Sequence, residues 1–245
     1  MTVNIPPTIL PTRKPNRQRF RRPWNTDPSC ILCFMPEVNS TWIDYSGEGN
    51  DGTITTATKV HNCRFGEGLY FDGLNDSVNI GDVASLEGMS RLTISAWVKG
   101  TGAEFGAVVG KWNNVAADRS YQLTFSGFQP VFGISSTGAN YHVERYNTNL
   151  NQNQWYHIVC VYPGTEDVTM YIDGALVPMI VHADAGVVAG ALDSNACTVY
   201  IGRVTADGGL PAYFPGYIDE VLLFDRELAA WEIKALYEQG KPGGL

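Results

Sequence analysis

Cationic charge is scarce in this chain and concentrated at one end. Of 245 residues, 17 are Lys or Arg against 25 Asp or Glu, a formal net charge of −8. That balance argues against a general nucleic-acid binder, which needs a basic face to displace counterions from phosphates. No run approaches the roughly 18 apolar residues of a membrane-spanning helix. The opening MTVNIPPTILPTRKP lacks the apolar segment of an export signal, and none follows the twin Arg of RFRRPW. The five cysteines (Cys30, Cys33, Cys63, Cys160 and Cys197) are odd in number and scattered, unlike a disulfide framework. Free thiols made in a reducing cytosol are the expectation. His142, His157 and His182 stand apart, with no Ser–His–Asp or His-x-x-x-His spacing, and there is no P-loop.

The basic residues that exist define an arm. Arg13, Lys14, Arg17, Arg19, Arg21 and Arg22 lie in residues 1–28 with Asp27 as the one acid, a net +5 that leaves −13 on the rest of the chain. Pro6, Pro7, Pro11, Pro15, Pro23 and Pro28 occupy the same segment. Proline at this density forbids helix and favours extended chain. With few large apolar groups the arm has no core of its own. Its alternatives are an idle tail, a strand that lies on a neighbouring subunit, or one that binds nucleic acid packed nearby.

From residue 29 the pattern changes to period two. LTISAWVK (92–99), WYHIVCVY (155–162), VTMYID (168–173), CTVYIG (197–202) and YQLTF (121–125) are short runs rich in β-branched and aromatic residues, punctuated by Gly, Asn and Asp. About a dozen strands are expected, with one helix. In that helix Ala229, Ile233, Leu236 and Tyr237 form one apolar stripe, and Gly240 and Pro242 stop it. Glu232 stands where a capping-box Glu reaches back, but Ala229 occupies the place of a Ser or Thr cap.

Four stretches occur in order: WIDYSGEGNDGTI (42–54), GLYFDGLNDSVNIG (68–81), LTISAWVK with WYHIVCVYPGTEDVTMYIDG (155–174), and VYIGR followed by FPGYIDEVLLFDRELAAWEIKALYEQG (214–240). Together they resemble the laminin-G-like, concanavalin A-like family of lectin and glucanase domains, of the pentraxin type. The resemblance implies an all-β jelly-roll sandwich of two antiparallel sheets over residues 29–245, with first and last strands adjacent, one short C-terminal helix, and the arm at 1–28 as an addition. Family members often bridge the strands matching 92–99 and 155–162 with a disulfide. Cys160 fits the second place, but Ser95 or its neighbours fill the first, so that bridge is absent.

Candidate sites are few. Asp219 and Glu220 interrupt an apolar run, but neighbours on a strand point to opposite faces. They make a poor pair of facing glycosidase carboxylates, and the Glu-x-Asp-x-(x)-Glu strand of related glucanases does not occur, so no catalytic residue is assigned. The loop DYSGEGNDG (44–52) offers oxygens from Asp44, Ser46, Asn50 and Asp51. Hard Ca2+ takes six to eight such ligands, and the family resemblance implies a structural calcium near Asp44, Asn50 and Asp219. The competing reading is that Asp44 and Asp219 accept backbone N–H bonds. Asp72 in FDGLNDSVNIG fits a turn. The CILC run (30–33) reads as strand, with its thiols on opposite faces and buried. Trp97, Trp112, Tyr121, Tyr141, Tyr146 and Tyr213 are candidates for stacking on sugars.

Three functions fit these features. The first is a non-catalytic structural or adhesion module of a larger oligomeric assembly, such as a phage virion surface or decoration protein, anchored to other protein subunits by its arm. A fold usually displayed outside cells, on a chain without export signal or disulfides, suits a particle assembled in cytoplasm and released by lysis. The second is a free glycan-binding lectin. The third is a polysaccharide-degrading enzyme.

Overall fold

The computed structural model describes residues 26–34, 41–104, 106–114, 118–205 and 211–240. The six cations of the arm, Arg13, Lys14, Arg17, Arg19, Arg21 and Arg22, lie outside the described residues.

The described chain forms two antiparallel sheets packed as a jelly roll. The first sheet runs, in spatial order, β14 (Ala175–Val177), β13 (Thr169–Ile172), β12 (Tyr156–Tyr162), β7 (Leu92–Gly100), β19 (Pro215–Phe224), β5 (Gly66–Asp72) and β4 (Thr58–Cys63). β1 (Cys30–Phe34) also pairs with β19, so the first and last strands are neighbours, as the family resemblance implied. The second sheet runs β15 (Met179–Ala185), β11 (Tyr141–Tyr146), β10 (Gln129–Ser135), β9 (Asp118–Ser126), β8 (Val109–Asn113), β16 (Val199–Ile201), β6 (Ser77–Gly81), β3 (Gly52–Thr55) and β2 (Thr41–Trp42). β17 (Arg203–Thr205) and β18 (Pro211–Tyr213) form a small ribbon at its β8 edge. The count exceeds a dozen because several strands are two or three residues long, too short for period two to register.

Alternation explains the layers. In β9, Tyr121, Leu123 and Phe125 face the main core, where Leu69, Phe71, Ile94, Phe132, Ile158 and Leu223 meet between the sheets. Each such side chain contributes about 1.5–3 kcal/mol on burial. Cys160 faces Ile94 across β12 and β7, and Ser95 faces Val159, so no thiol opposes Cys160.

The helix α1 (Ala230–Gln239) begins where the sequence places it. The Ala229 N–H donates to Glu232 Oε2 at 2.8 Å, the half of a capping box that needs no cap side chain. Ile233 and Leu236 bury against Cys30, Cys33, Leu222 and Phe224 on the outer face of the first sheet. Arg226 clasps the helix to the start of the domain: it reaches Glu232 Oε1 at 2.7 Å and Asp27 Oδ2 at 2.6 Å. Asp27 is therefore tied to the body, two residues before the expected boundary.

The structure corrects the reading of CILC. β1 is irregular between Cys30 and Leu32, which leaves Ile31 without a partner on β19. The extra residue turns Cys30 and Cys33 to the same side, and both join the cluster beneath α1. The Cys33 thiol is pushed far up by its contact with Cys30 and by burial.

Candidate functional site

Asp44 organises the loop that precedes β3. Its Oδ1 accepts the N–H groups of Cys33 and Ser46, both at 2.9 Å, and its Oδ2 accepts the Ser46 hydroxyl at 2.7 Å and the Asn50 N–H at 2.9 Å. A carboxylate has about four lone-pair directions, and all are taken here. Asn50 Nδ2 donates to Ile31 O, and its Oδ1 accepts from Ser85 Oγ. Asp219 sits on another element: Oδ2 accepts the Phe65 N–H and Oδ1 the Glu220 N–H, each at 2.9 Å, which fastens the β4–β5 turn to β19. Asp44 and Asn50 are joined to each other, while these two bonds of Asp219 stay within the first sheet. This donor set does not fit the calcium that the resemblance implied. Asp72 likewise accepts the Leu74 N–H in a turn. Gly47, Gly49 and Gly52 have the spacing of a dinucleotide fingerprint, but they lead into a strand, so no helix N-terminus waits for a pyrophosphate.

A Ser–His pair that sequence spacing did not reveal appears across β7 and β12. Ser95 Oγ and His157 Nε2 are 2.8 Å apart, and each residue is 1% exposed. The ring is stacked on Trp97 and Tyr237. Burial, with the Arg64 charge in support, pulls the His157 pKa down to about 3. No substrate reaches this pair.

The outer face of the second sheet is different. A cleft of about 180 Å3 opens over β8, β9, β10, β11 and β15. Its apolar side is made by Val131 and Val143, with Trp112 and Tyr141 set edge to face at 6.3 Å and 73°. Gln122, Thr124 and Ser126 are the outward residues of β9 and line the same cleft. Gly133 leaves room here, because a Cβ would crowd the Gln122 side chain at 3.0 Å and Trp112 at 3.3 Å. Arg119 is held in place by donating to Asn114 Oδ1, Asn114 O and Gly138 O, all neutral acceptors. Its guanidinium lies 4.9 Å from the Tyr141 ring centre. His182 lines the far side, its pKa lowered by burial and by the Arg145 charge.

The sequence's aromatic candidates thus separate. Trp97 and Tyr121 are core residues, and Tyr146 packs against the core. Tyr213 lies beneath Arg203. Trp112 and Tyr141 meet in the cleft. A second aromatic cluster, absent from the sequence candidates, lies on the outer face of the first sheet. There Tyr217 is 5.0 Å from Tyr70 and 6.1 Å from Trp155, and Lys99 Nζ is 4.0 Å above Tyr217. Tyr217 alternates with buried Ile218 along β19, which is the signal that marks it as outward.

Among solved structures, the binding domain of Paraclostridial Mosquitocidal Protein 1 superposes with a TM-score of 0.63 at 15% identity, over 86% of this chain and 52% of that one. Domain 4 of AbnA, a GH43 extracellular arabinanase from Geobacillus stearothermophilus in complex with arabinotriose, gives 0.63 at 18% identity, over 85% and 98%. The binding domain of botulinum neurotoxin serotype G gives 0.61 at 16% identity, over 85% and 50%. The chain spans about half the length of the two toxin domains. At these identities the likeness shows the fold. No protein with a curated description matches the sequence. A family model of the laminin G class, described as the Concanavalin A-like lectin/glucanases superfamily, matches residues 71–234. With strand order, sheet packing and family match in agreement, this chain belongs to the Concanavalin A-like lectin/glucanases superfamily.

Proposed function

We propose that the protein is a non-catalytic binding module that takes a glycan in the cleft on its second sheet. The observation that carries this reading is the convergence of Tyr141, seated against the buried Trp112, with Gln122, Thr124, Ser126 and Arg119 around one cleft. Sugars offer apolar C–H faces to aromatic rings and hydroxyls to amide and hydroxyl groups. Arg119, whose hydrogen-bond partners among the described residues are neutral, favours a sugar that carries an acid group. The arabinotriose-bound domain of AbnA and the toxin binding domains, one described by its dependence on two ganglioside molecules, support a binding role for this fold. The carboxylates Asp44, Asp219 and Asp72 are engaged in backbone hydrogen bonds, which supports a role without catalysis.

The finer proposal places this module on a larger assembly, with a phage virion surface as the leading case. There the six cations of residues 1–28 would hold it to an acidic neighbouring subunit. Support comes from the charge division between arm and body and from the clasp of Asp27 by Arg226, which gives such an arm a fixed base.

A glycan microarray tests the cleft. Binding to acidic glycans that Tyr141→Ala and Gln122→Ala abolish, and that Trp155→Ala on the opposite sheet leaves intact, is the expected result. Loss through Trp155→Ala alone would move the site to the Tyr217 cluster, and release of reducing ends from a bound polysaccharide would revive the enzyme reading. Removing residues 1–25 tests the arm: the shortened chain should bind glycan normally but no longer join its assembly.

A further inference from the structure

We propose that His142, Asp184 and Glu166 form a binding site for one divalent transition ion of the Zn2+ class. His142 and Asp184 are direct cross-strand partners on β11 and β15. Glu166 comes from the loop between β12 and β13 of the other sheet. One ligand atom from each residue lies within 4.8 Å of the other two. Three points so placed share a centre no more than about 2.8 Å from each, and Zn–N and Zn–carboxylate bonds are about 2.0–2.2 Å. A small side-chain shift closes the difference, and the Asp184 side chain, 49% exposed, has room to make it.

Clustered carboxylates are common on protein surfaces, so the histidine decides the matter. The His142 side chain is 6% exposed. Its Nδ1 is buried and has no hydrogen-bond partner among the described residues. The Asp184 oxygen it faces is at 3.7 Å, too far for a hydrogen bond. A buried nitrogen left in this state is costly unless something fills it. The other ring nitrogen explains its orientation. Nε2 lies 3.0 Å from Glu144 Oε1, two residues along the same strand. A carboxylate at Nε2 holds the ring proton there and leaves the lone pair on Nδ1, aimed at Asp184. Metal-binding histidines are oriented in this way. Glu166 is also fixed, since its Oε1 accepts the Val188 N–H at 2.6 Å, and a carboxylate holding one such bond still has lone pairs to offer an ion.

One imidazole nitrogen and two carboxylates give a neutral site with a divalent ion. The nitrogen disfavours Ca2+ and Mg2+, which take all-oxygen shells. Three protein ligands leave a fourth position for water on the exposed Asp184 side. The ion would fasten the β12–β13 loop of one sheet to the edge of the other.

The full chain, stripped with chelator and titrated with ZnCl2 by calorimetry at neutral pH, should take up one equivalent. Co2+ in place of Zn2+ should give visible ligand-field bands without the near-ultraviolet sulfur charge transfer that ligation by Cys33, Cys63 or Cys197 would produce. Asp184→Asn, at a half-exposed position that does not endanger the fold, should weaken Zn2+ binding at least about tenfold, and Glu144→Gln, a positioning residue, by about 10–100-fold. Circular dichroism confirms that each variant is folded. Absence of saturable uptake by the unaltered chain would overturn the proposal in favour of an imidazolium held between Glu144 and Asp184. Uptake that survives both substitutions, or that shows the sulfur band, would overturn it by placing the ion elsewhere.

Discussion

Replacing Asp44 by Asn removes one charge and changes one atom, yet it disturbs all four hydrogen bonds that the Asp44 carboxylate accepts in the loop before β3. Oδ1 keeps its role for the Cys33 and Ser46 N–H groups. The bonds weaken from charge-assisted to neutral, at about 1 kcal/mol each. Oδ2 becomes an NH2 group facing the Asn50 N–H, which is buried. Donor opposes donor, at about 1–3 kcal/mol for the unsatisfied group. The Ser46 hydroxyl rotates and accepts instead, at little cost. The whole comes to about 3–5 kcal/mol, and for a domain of this size each kcal/mol moves the Tm by about 2–4 °C. Differential scanning calorimetry should therefore show Asp44→Asn melting roughly 6–20 °C below the unaltered protein. The unaltered protein should melt at the same temperature with CaCl2 and with a calcium chelator. A Tm that rises with calcium, or an Asp44→Asn variant as stable as its parent, would refute the hydrogen-bond account and restore the metal reading of this loop.

Three other single residues give outcomes of their own. Ala229→Ser completes the capping box and should stabilise the protein by about 0.5–1 kcal/mol in urea titrations, and an unchanged midpoint would contradict this helix start. Lys111 is fully buried, with Nζ 2.7 Å from Asp82 Oδ1 and 2.6 Å from Cys197 O. Lys111→Met keeps the stem but strands that carbonyl and leaves Asp82 and Glu87 without their cation, so its urea midpoint should correspond to a loss of about 2–4 kcal/mol, and an unchanged midpoint would contradict this role. His157 titrates near 3 when folded and about 6.5 when unfolded. Between those values the unfolded chain holds the extra proton, so the contribution of this residue is complete above about 6.5 and is lost toward pH 3 at up to about 1.4 kcal/mol per unit. The pH dependence of stability should be shallower in His157→Asn, and parallel curves would contradict the burial account.

The fold was largely legible because its signals are local. Period two marks β7, β9, β12 and β13, and the stripe of Ile233 and Leu236 with Glu232 at the third position marks α1. The features that stayed hidden depend on register. The extra residue in β1 that gathers Cys30 and Cys33 is a property of the pairing with β19, not of CILC itself. The same holds beside Asp219, where β19 is irregular and Glu220 has a φ of 47°, so the alternation of a regular strand does not carry through this point. The cleft draws on five strands separated by up to 71 positions, from Trp112 to Ala183, and no window of sequence brings Trp112 beside Tyr141. The oxygens of the 44–52 loop are plain in the sequence, but the N–H groups that reach Asp44 first are set by tertiary structure. His142 looked isolated because its partners lie across a strand pair and on a loop of the opposite sheet.

The pairing of β1 with β19 has a mechanical consequence. The strands are antiparallel, with Cys30 opposite Phe224, so the chain enters the sheet beside the point where β19 leaves it. A pull between the arm and the C-terminal helix would part the two strands from that shared end, one hydrogen bond after another, as a zipper opens. The first resistance would come from Asp27, Arg226 and Glu232, whose contacts bridge the two ends of the domain. A tether held only by the arm, and loaded through a ligand on the far sheet, would instead strain the whole length of β1 along its axis, so that its bonds share the force. The domain is thus built to yield when its two ends are drawn apart and to hold when it hangs from one of them.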